Sequence, residues 1–309
     1  MKIPFADLQS QYLEYKSKID QRMQKVLDSA SFINGPEVSE LESAMCEFVG
    51  SKYSIACANG TDALTLALMA LEIGPGDEVV VPAFSYFASA ESVSLVGAKP
   101  IFVDVRPDTC NLEAEVVRPF ITEKTKAIIP VHFTGYMVNM PKLMRIANKY
   151  NIPIVEDACQ SILGSINKKK AGSWAEFGAF SLHPLKNINV WSDGGVITTN
   201  SLKSYKKLKL LRNHGLTDRN TVKICGYNSR LDTFQAVVGN WLLPKSKSIA
   251  KKRIENAKYF DRHLSKIDEI KIPPRPKNYK IVYHLYIVFA KNRDKLYKYC
   301  QKKGIEAKI

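Results

Sequence analysis

Between residues 53 and 199, short apolar runs alternate with stretches of helical periodicity, and few architectures accommodate that alternation. Tyr53–Cys57, Glu78–Val81, Pro100–Val103, Thr125–Pro130, Ile152–Val155, Phe177–Ser181 and Gly195–Thr199 read as strands. Thr61–Leu71, Ser85–Val96 and Met140–Tyr150 read as intervening helices. Strands that are nearly continuous in Val, Ile and Ala are covered on both faces. The expected class is therefore α/β, with a mostly parallel seven-stranded sheet and helices on both faces. Two helices, Gln9–Ala30 and Pro36–Val49, form an expected N-terminal arm.

A composition of 45% apolar residues over 309 positions supports one large domain and part of a second. The boundary is expected near Leu242–Lys247, dividing the chain into residues 1–244 and 245–309. The second part reads as a smaller α+β domain. It contains a charged helix Lys245–Ile267, a connector around Pro273-Pro274, a strand Ile281–Ala290 and a helix Asn292–Lys303. Gly304–Ile309 reads as the start of another strand, so this domain is expected to be truncated.

The six cysteines are scattered, with no C-x-x-C pair and no neighbouring histidine cluster. Zinc sites and disulfide frameworks are not expected, and a reducing, cytoplasmic setting fits. The N-terminus carries no apolar signal core, and the longest apolar run, Tyr283–Ala290, is too short to span a bilayer. Net charge is +15, and 19 Lys and Arg against 6 Asp and Glu fall between Trp241 and Ile309. A basic segment attracts phosphates, nucleic acid or anionic lipid. No stacking aromatics are interleaved here as in a nucleic-acid module, so a solvated lysine-rich face or an anionic small molecule is expected instead.

Two segments carry chemistry. Phe180-Ser181-Leu182-His183-Pro184-Leu185-Lys186-Asn187 places a lysine just beyond a strand and ahead of Asp193-Gly194-Gly195. Val155-Glu156-Asp157-Ala158-Cys159-Gln160-Ser161 places a carboxylate at the end of another strand. An amine that forms a Schiff base and an acid facing a protonated pyridine ring are two requirements of pyridoxal phosphate chemistry. Ligands of open α/β sheets gather at the carboxyl ends of strands, where Asp157 is expected; the same residue could equally cap a helix. Gln160 suits the phenolic oxygen of the ring. Gly60 and Thr61 open a helix directly after a strand, so their N–H groups and the Thr61 hydroxyl can hold a phosphate or simply cap the helix. Ser181 adds a second hydroxyl. Tyr86 can stack on the ring or pack in the core.

Taken in order, these motifs resemble the DegT/DnrJ/EryC1/StrS family of sugar aminotransferases, enzymes of pyridoxal phosphate fold type I. The resemblance also rests on Ile3-Pro4-Phe5-Ala6-Asp7-Leu8, Asn34-Gly35-Pro36-Glu37-Val38, Asn59-Gly60-Thr61-Asp62-Ala63-Leu64, Gly74-Pro75-Gly76-Asp77-Glu78-Val79 and Gly226-Tyr227-Asn228-Ser229-Arg230-Leu231-Asp232. It implies that Lys186 carries the cofactor and shuttles a proton, and that Asp157 and Gln160 bind ring nitrogen and phenolic oxygen. It implies that Gly60, Thr61 and Ser181 hold the phosphate. Asn228 is implied to reach the cofactor of a neighbouring subunit, giving a homodimer with shared active sites, and Arg230 to contact the donor carboxylate or the sugar nucleotide. Related dehydratases carry histidine in place of the lysine, so Lys186 implies transamination. The implied reaction moves an amino group from glutamate to a nucleotide-linked keto sugar. The run Asn228–Asp232 resembles enzymes acting at C3 rather than C4. The family pattern continues past residue 309 with a His-Tyr-Pro-type segment, which leaves a truncated, non-catalytic relative as an alternative.

Overall fold

A computed structural model describes residues 3–309. Its centre is a sheet of seven strands: β1 (Tyr53–Cys57), β2 (Glu78–Pro82), β3 (Lys99–Val103), β4 (Thr125–Ile128), β5 (Val155–Asp157), β6 (Phe177–Ser181) and β7 (Gly195–Thr199). The spatial order is β3-β2-β4-β5-β6-β7-β1. Parallel bridges Ile128↔Ile154 and Val131↔Asp157 join the three-stranded and four-stranded portions. Only β7 runs antiparallel to its neighbours, pairing Ser181↔Gly195 with β6 and Cys57↔Gly195 with β1. The carboxyl ends of β1, β5 and β6 therefore share one edge of the sheet.

Side chains alternate between two cores, as strand geometry requires. Ile55, Val79, Val81, Phe177, Ala179 and Ile197 pack under α3 (Gly60–Ala70). Ala56, Val80, Ile128, Phe180 and Val196 face the opposite core, built with Leu41 and Met45 of α2 (Pro36–Val49). Phe177 and Phe180, three apart and fully buried, anchor one face each. At roughly 1.5–3 kcal/mol per buried large apolar side chain, this double burial is what orders the strand that leads into the Lys186 loop.

Three expected elements are shifted. The fifth strand runs from Val155 to Asp157; before it, Pro153 O accepts from Ile128 N–H and Ile154 makes only an isolated bridge to Ile128. The helix after Pro82 begins at Ala88, which leaves Tyr86 in the preceding turn. The strand expected over Ile281–Ala290 is reduced to its last two residues. Only Tyr279–Lys280 and Phe289–Ala290 pair as strands, because the backbone between them is bonded elsewhere: Val282 N–H to Gly135 O and Leu285 N–H to Thr134 O. The long helix, Ser246–Leu264, follows Leu243–Lys245, a single 3-10 turn. Helices Leu202–Leu211 and Thr233–Leu242 are further elements of the large layer.

Gly304–Ile309 does not form the expected strand: Ile305 makes a single parallel bridge to Ile3, Ile3 N–H donates to Gly304 O at 2.8 Å, and Glu306 N–H donates to Ile3 O at 3.0 Å. No helix among the described residues is long and apolar enough to cross a membrane.

Candidate active site

The site is assembled where β1, β5 and β6 end. Helix α3 begins two residues after β1. Asn59 caps it through its side chain, which accepts from Asp62 N–H at 2.8 Å. Among the described residues no acceptor is paired with the amides of Gly60 and Thr61, so two N–H groups at the positive end of the helix dipole remain available. Gly60 is required there by close approach. A Cβ on it would stand 2.7 Å from Ser181 Cβ and 3.2 Å from Cys159 Sγ. The helix start is thus pressed against the end of β6, and the Ser181 hydroxyl shares its cup.

Asp157 is 6% exposed. One carboxylate oxygen accepts from Ser89 Oγ at 3.0 Å and the other from Cys159 N–H at 3.2 Å. No lysine or arginine pairs with it among the described residues, although a buried carboxylate ordinarily needs a cationic partner. Ser89, which sequence reasoning missed, belongs to the helix Ala88–Leu95 and meets Ser85 Oγ at 3.1 Å. The four-residue spacing of Ser85 and Ser89 was the available signal.

Next to Asp157, Glu156 faces the other way into the protein. Its carboxylate is fully buried and accepts from Gly172 N–H (2.9 Å), Trp174 N–H (2.7 Å) and Ala175 N–H (3.1 Å). The fourth partner is His132 Nε2 at 3.1 Å. Because His132 Nδ1 accepts from Val138 N–H at 3.3 Å, the imidazole carries its proton on Nε2 and donates it to Glu156. Strand β5 is thereby tied on one side to the loop 172–175, while its last residue projects into the site.

Lys186 sits in the loop joining β6 and β7. That loop is closed at its feet by Leu182 N–H to Gly194 O and Val190 N–H to Leu182 O, both 2.7 Å, and Lys186 N–H bonds His183 O at 2.8 Å. Lys186 and Asp157 both act on the thiol of Cys159. Burial pushes that thiol well above its usual pKa, Asp157 raises it further, and Lys186 opposes them. Gln160 is held by Thr134 N–H, which donates to its Oε1 at 2.7 Å. Among the described residues no acceptor is paired with its amide nitrogen.

Tyr86, Asn228 and Arg230 stand apart, with no hydrogen bond or ion pair to Asp157 or Lys186 among the described residues. Tyr86 is 75% exposed. Asn228 is exposed and bridges Asn213, while Arg230 Nη1 donates to Asn213 Oδ1 at 3.2 Å. Ser229, between them, donates to Asp62 Oδ2 at 2.6 Å and accepts from Ala58 N–H at 3.2 Å, which pins this loop to the start of α3.

These residues fit pyridoxal phosphate. The cup at Gly60 would suit the phosphate, and Asp157, without a cationic partner, a protonated ring nitrogen. The Lys186 amine suits the aldehyde. When bound, the cofactor supplies a carbon that exchanges amines and a ring that accepts the electron pair released at the substrate carbon.

The model of the DegT/DnrJ/EryC1/StrS aminotransferase family matches residues 14–309. The chain is 38% identical over 307 residues to the UDP-N-acetyl-3-dehydro-alpha-D-glucosamine 3-aminotransferase of Acidithiobacillus ferrooxidans, covering 99% of this chain and 83% of that protein. It is 41% identical over 295 residues to the UDP-2-acetamido-2-deoxy-3-oxo-D-glucuronate aminotransferase of Pseudomonas aeruginosa, covering 94% and 81%. Among solved structures it superposes on S. venezuelae DesV with a TM-score of 0.97 at 33% identity, over 99% of this chain and 82% of that one. NtdA of Bacillus subtilis, solved with bound cofactor PMP, matches with a TM-score of 0.89 at 29% identity, over 100% and 72%. The chain belongs to the DegT/DnrJ/EryC1/StrS aminotransferase family, a family of pyridoxal phosphate-dependent transaminases.

Proposed function

We propose that the protein is a homodimeric sugar-nucleotide aminotransferase that moves an amino group from glutamate to C3 of a nucleotide-linked keto sugar. The reading is supported by Asp157 at the end of β5, the Gly60–Ser181 contact at the ends of β1 and β6, and the Lys186 loop that follows β6, all on one sheet edge. Lys186 Nζ takes a proton from the substrate carbon that bears the amine and later returns it. Asp157 faces the ring nitrogen and keeps it protonated, with Ser89 orienting the carboxylate. Gln160 presents its amide N–H to the phenolic oxygen, Tyr86 covers the ring, and Thr61 adds its hydroxyl to the phosphate cup. Transfer at C3 is supported by the names of the two relatives above, both of which carry a 3-oxo or 3-dehydro sugar. In this reading residues 1–244 bind the cofactor and residues 245–309 form a smaller domain beside it. Asn228 and Arg230, which make no hydrogen bond or ion pair with their own Lys186 among the described residues, serve the neighbouring subunit's site.

Protein loaded with pyridoxal phosphate is incubated first with glutamate and then with a UDP-linked 3-keto sugar. One equivalent of 2-oxoglutarate is expected, followed by a sugar carrying nitrogen at C3 by NMR. A C4-amino product removes the regiochemical assignment, and no 2-oxoglutarate removes the donor. For the shared site, mixing inactive Lys186→Ala and Asn228→Ala subunits is expected to restore activity; mixtures that stay inactive refute it.

A further inference from the structure

A half-buried arginine and histidine near Lys186 are left unexplained by these roles. Arg253, on the helix Ser246–Leu264, uses Nη1 to hold the carbonyls of Tyr283 (3.0 Å) and His284 (3.2 Å). No carboxylate pairs with its guanidinium among the described residues, and burial depresses its pKa. The adjacent His284 has a buried Nδ1 with no hydrogen-bond partner. Burial first, and then the positive charges of Lys186, Arg253 and His183, push its pKa down to about 3. Every charge acting on it is positive.

The backbone there is held firmly. Tyr283 has φ +49°, a conformation aromatic residues rarely adopt, and it persists because both flanks are tied. Asn187 Nδ2 donates to Val282 O at 3.1 Å. Gly135, at φ +89°, lies so close that a Cβ would stand 2.9 Å from the amide nitrogens of Tyr283 and His284. Asn187 directly follows Lys186, and Gly135 follows the Thr134 that holds Gln160. The cluster therefore borders the amine-exchange site.

A guanidinium drawn out of water without a counter-ion is costly, and proteins pair it or reserve it for a ligand. Among the described residues no carboxylate pairs with Arg253, and the neutral His284 beside it keeps a buried Nδ1 without a partner. With Nη1 occupied, the Nε–Nη2 edge of Arg253 offers two parallel N–H groups, which match the two oxygens of a carboxylate. We propose that Arg253 and His284 form a carboxylate-binding pocket beside Lys186. The proposal rests on the aminotransferase reading above. The carboxylate comes either from the amino-acid donor or from an acidic sugar.

To test this, protein loaded with pyridoxal phosphate is titrated calorimetrically with 2-oxoglutarate, which has no amine to transfer, and with UDP-glucuronate and UDP-glucose. In His284→Phe the 2-oxoglutarate Kd is expected to rise at least ~10-fold if the donor is held here. If the sugar is held here, the preference for UDP-glucuronate over UDP-glucose falls by that factor instead. His284→Asn, which keeps a neutral hydrogen-bonding group, is expected to stay within about threefold of wild type, and Arg253→Met to lose as much as His284→Phe. Unchanged binding of all three probes in His284→Phe overturns the pocket, whether or not Arg253→Met folds. So does a His284→Asn protein as weak as His284→Phe, because that loss is packing. A wild type that keeps the cofactor yet binds neither carboxylate overturns the pocket alone; one that takes up no cofactor overturns the aminotransferase reading with it.

Discussion

Replacing Glu156 with glutamine preserves its volume and reverses the polarity of one of its two ends. All four groups around the carboxylate are donors, so whichever end carries the NH2 meets two N–H groups. His132 cannot relieve this by moving its proton to Nδ1, because Nδ1 already faces Val138 N–H. Two hydrogen bonds to a charged acceptor are lost at about 1.5–3 kcal/mol each, or about 3–6 kcal/mol. Relief from burying a charge trims the loss toward the lower figure. At about 2.1 cal/mol/K per residue, unfolding 309 residues carries an entropy of roughly 0.65 kcal/mol/K. A loss of about 3 kcal/mol therefore lowers the melting midpoint by about 5 °C. Calorimetry on cofactor-free protein at one fixed concentration measures it, since ligand and association both shift the midpoint. A drop below about 1 °C would show that the four bonds do not carry the weight assigned to them.

Gly60→Ala forces helix α3 off Ser181, so the Kd for pyridoxal phosphate, read by cofactor absorbance in equilibrium dialysis, is expected to rise at least ~10-fold, with about 1–3 kcal/mol lost from stability. Borohydride reduction of the loaded protein followed by peptide mapping is expected to label Lys186; a label elsewhere refutes its role. Ser89→Ala frees one oxygen of Asp157 and is expected to weaken cofactor binding about 3–30-fold while leaving the fold intact by circular dichroism. His284 takes a proton more readily when unfolded, near 6.5, than when folded, near 3. Its contribution is therefore complete above pH 6.5 and is lost as pH falls toward 3, so His284→Asn is expected to flatten that acid-side decline by up to ~1.4 kcal/mol per pH unit in denaturant titrations.

The large sheet was legible because its strands are short, apolar and bounded by Gly, Pro or Asn, so Tyr53–Cys57, Phe177–Ser181 and Gly195–Thr199 fall where periodicity put them. Asp157 and Lys186 fall where the strand pattern puts them, one at the end of such a strand and the other in the loop that follows one. Residues 281–288 were not: their apolar alternation is that of a strand, but tertiary partners at Gly135, Thr134, Asn187 and Arg253 claim the backbone groups a strand would use. The His132–Glu156 pair was hidden for a related reason. The two residues are 24 positions apart and the backbone amides that complete the site lie 16 to 19 residues beyond Glu156, so no local spacing encodes them.

The reversed direction of β7 has a kinetic implication. Its partner β6 lies alongside, so the segment between them is a clasp fastened at both feet, with Lys186 at its crown. A side chain mounted this way has already surrendered most of its wandering before any ligand arrives. In the role proposed for Lys186, the amine is then aimed once, when the chain folds, and not anew at each turnover.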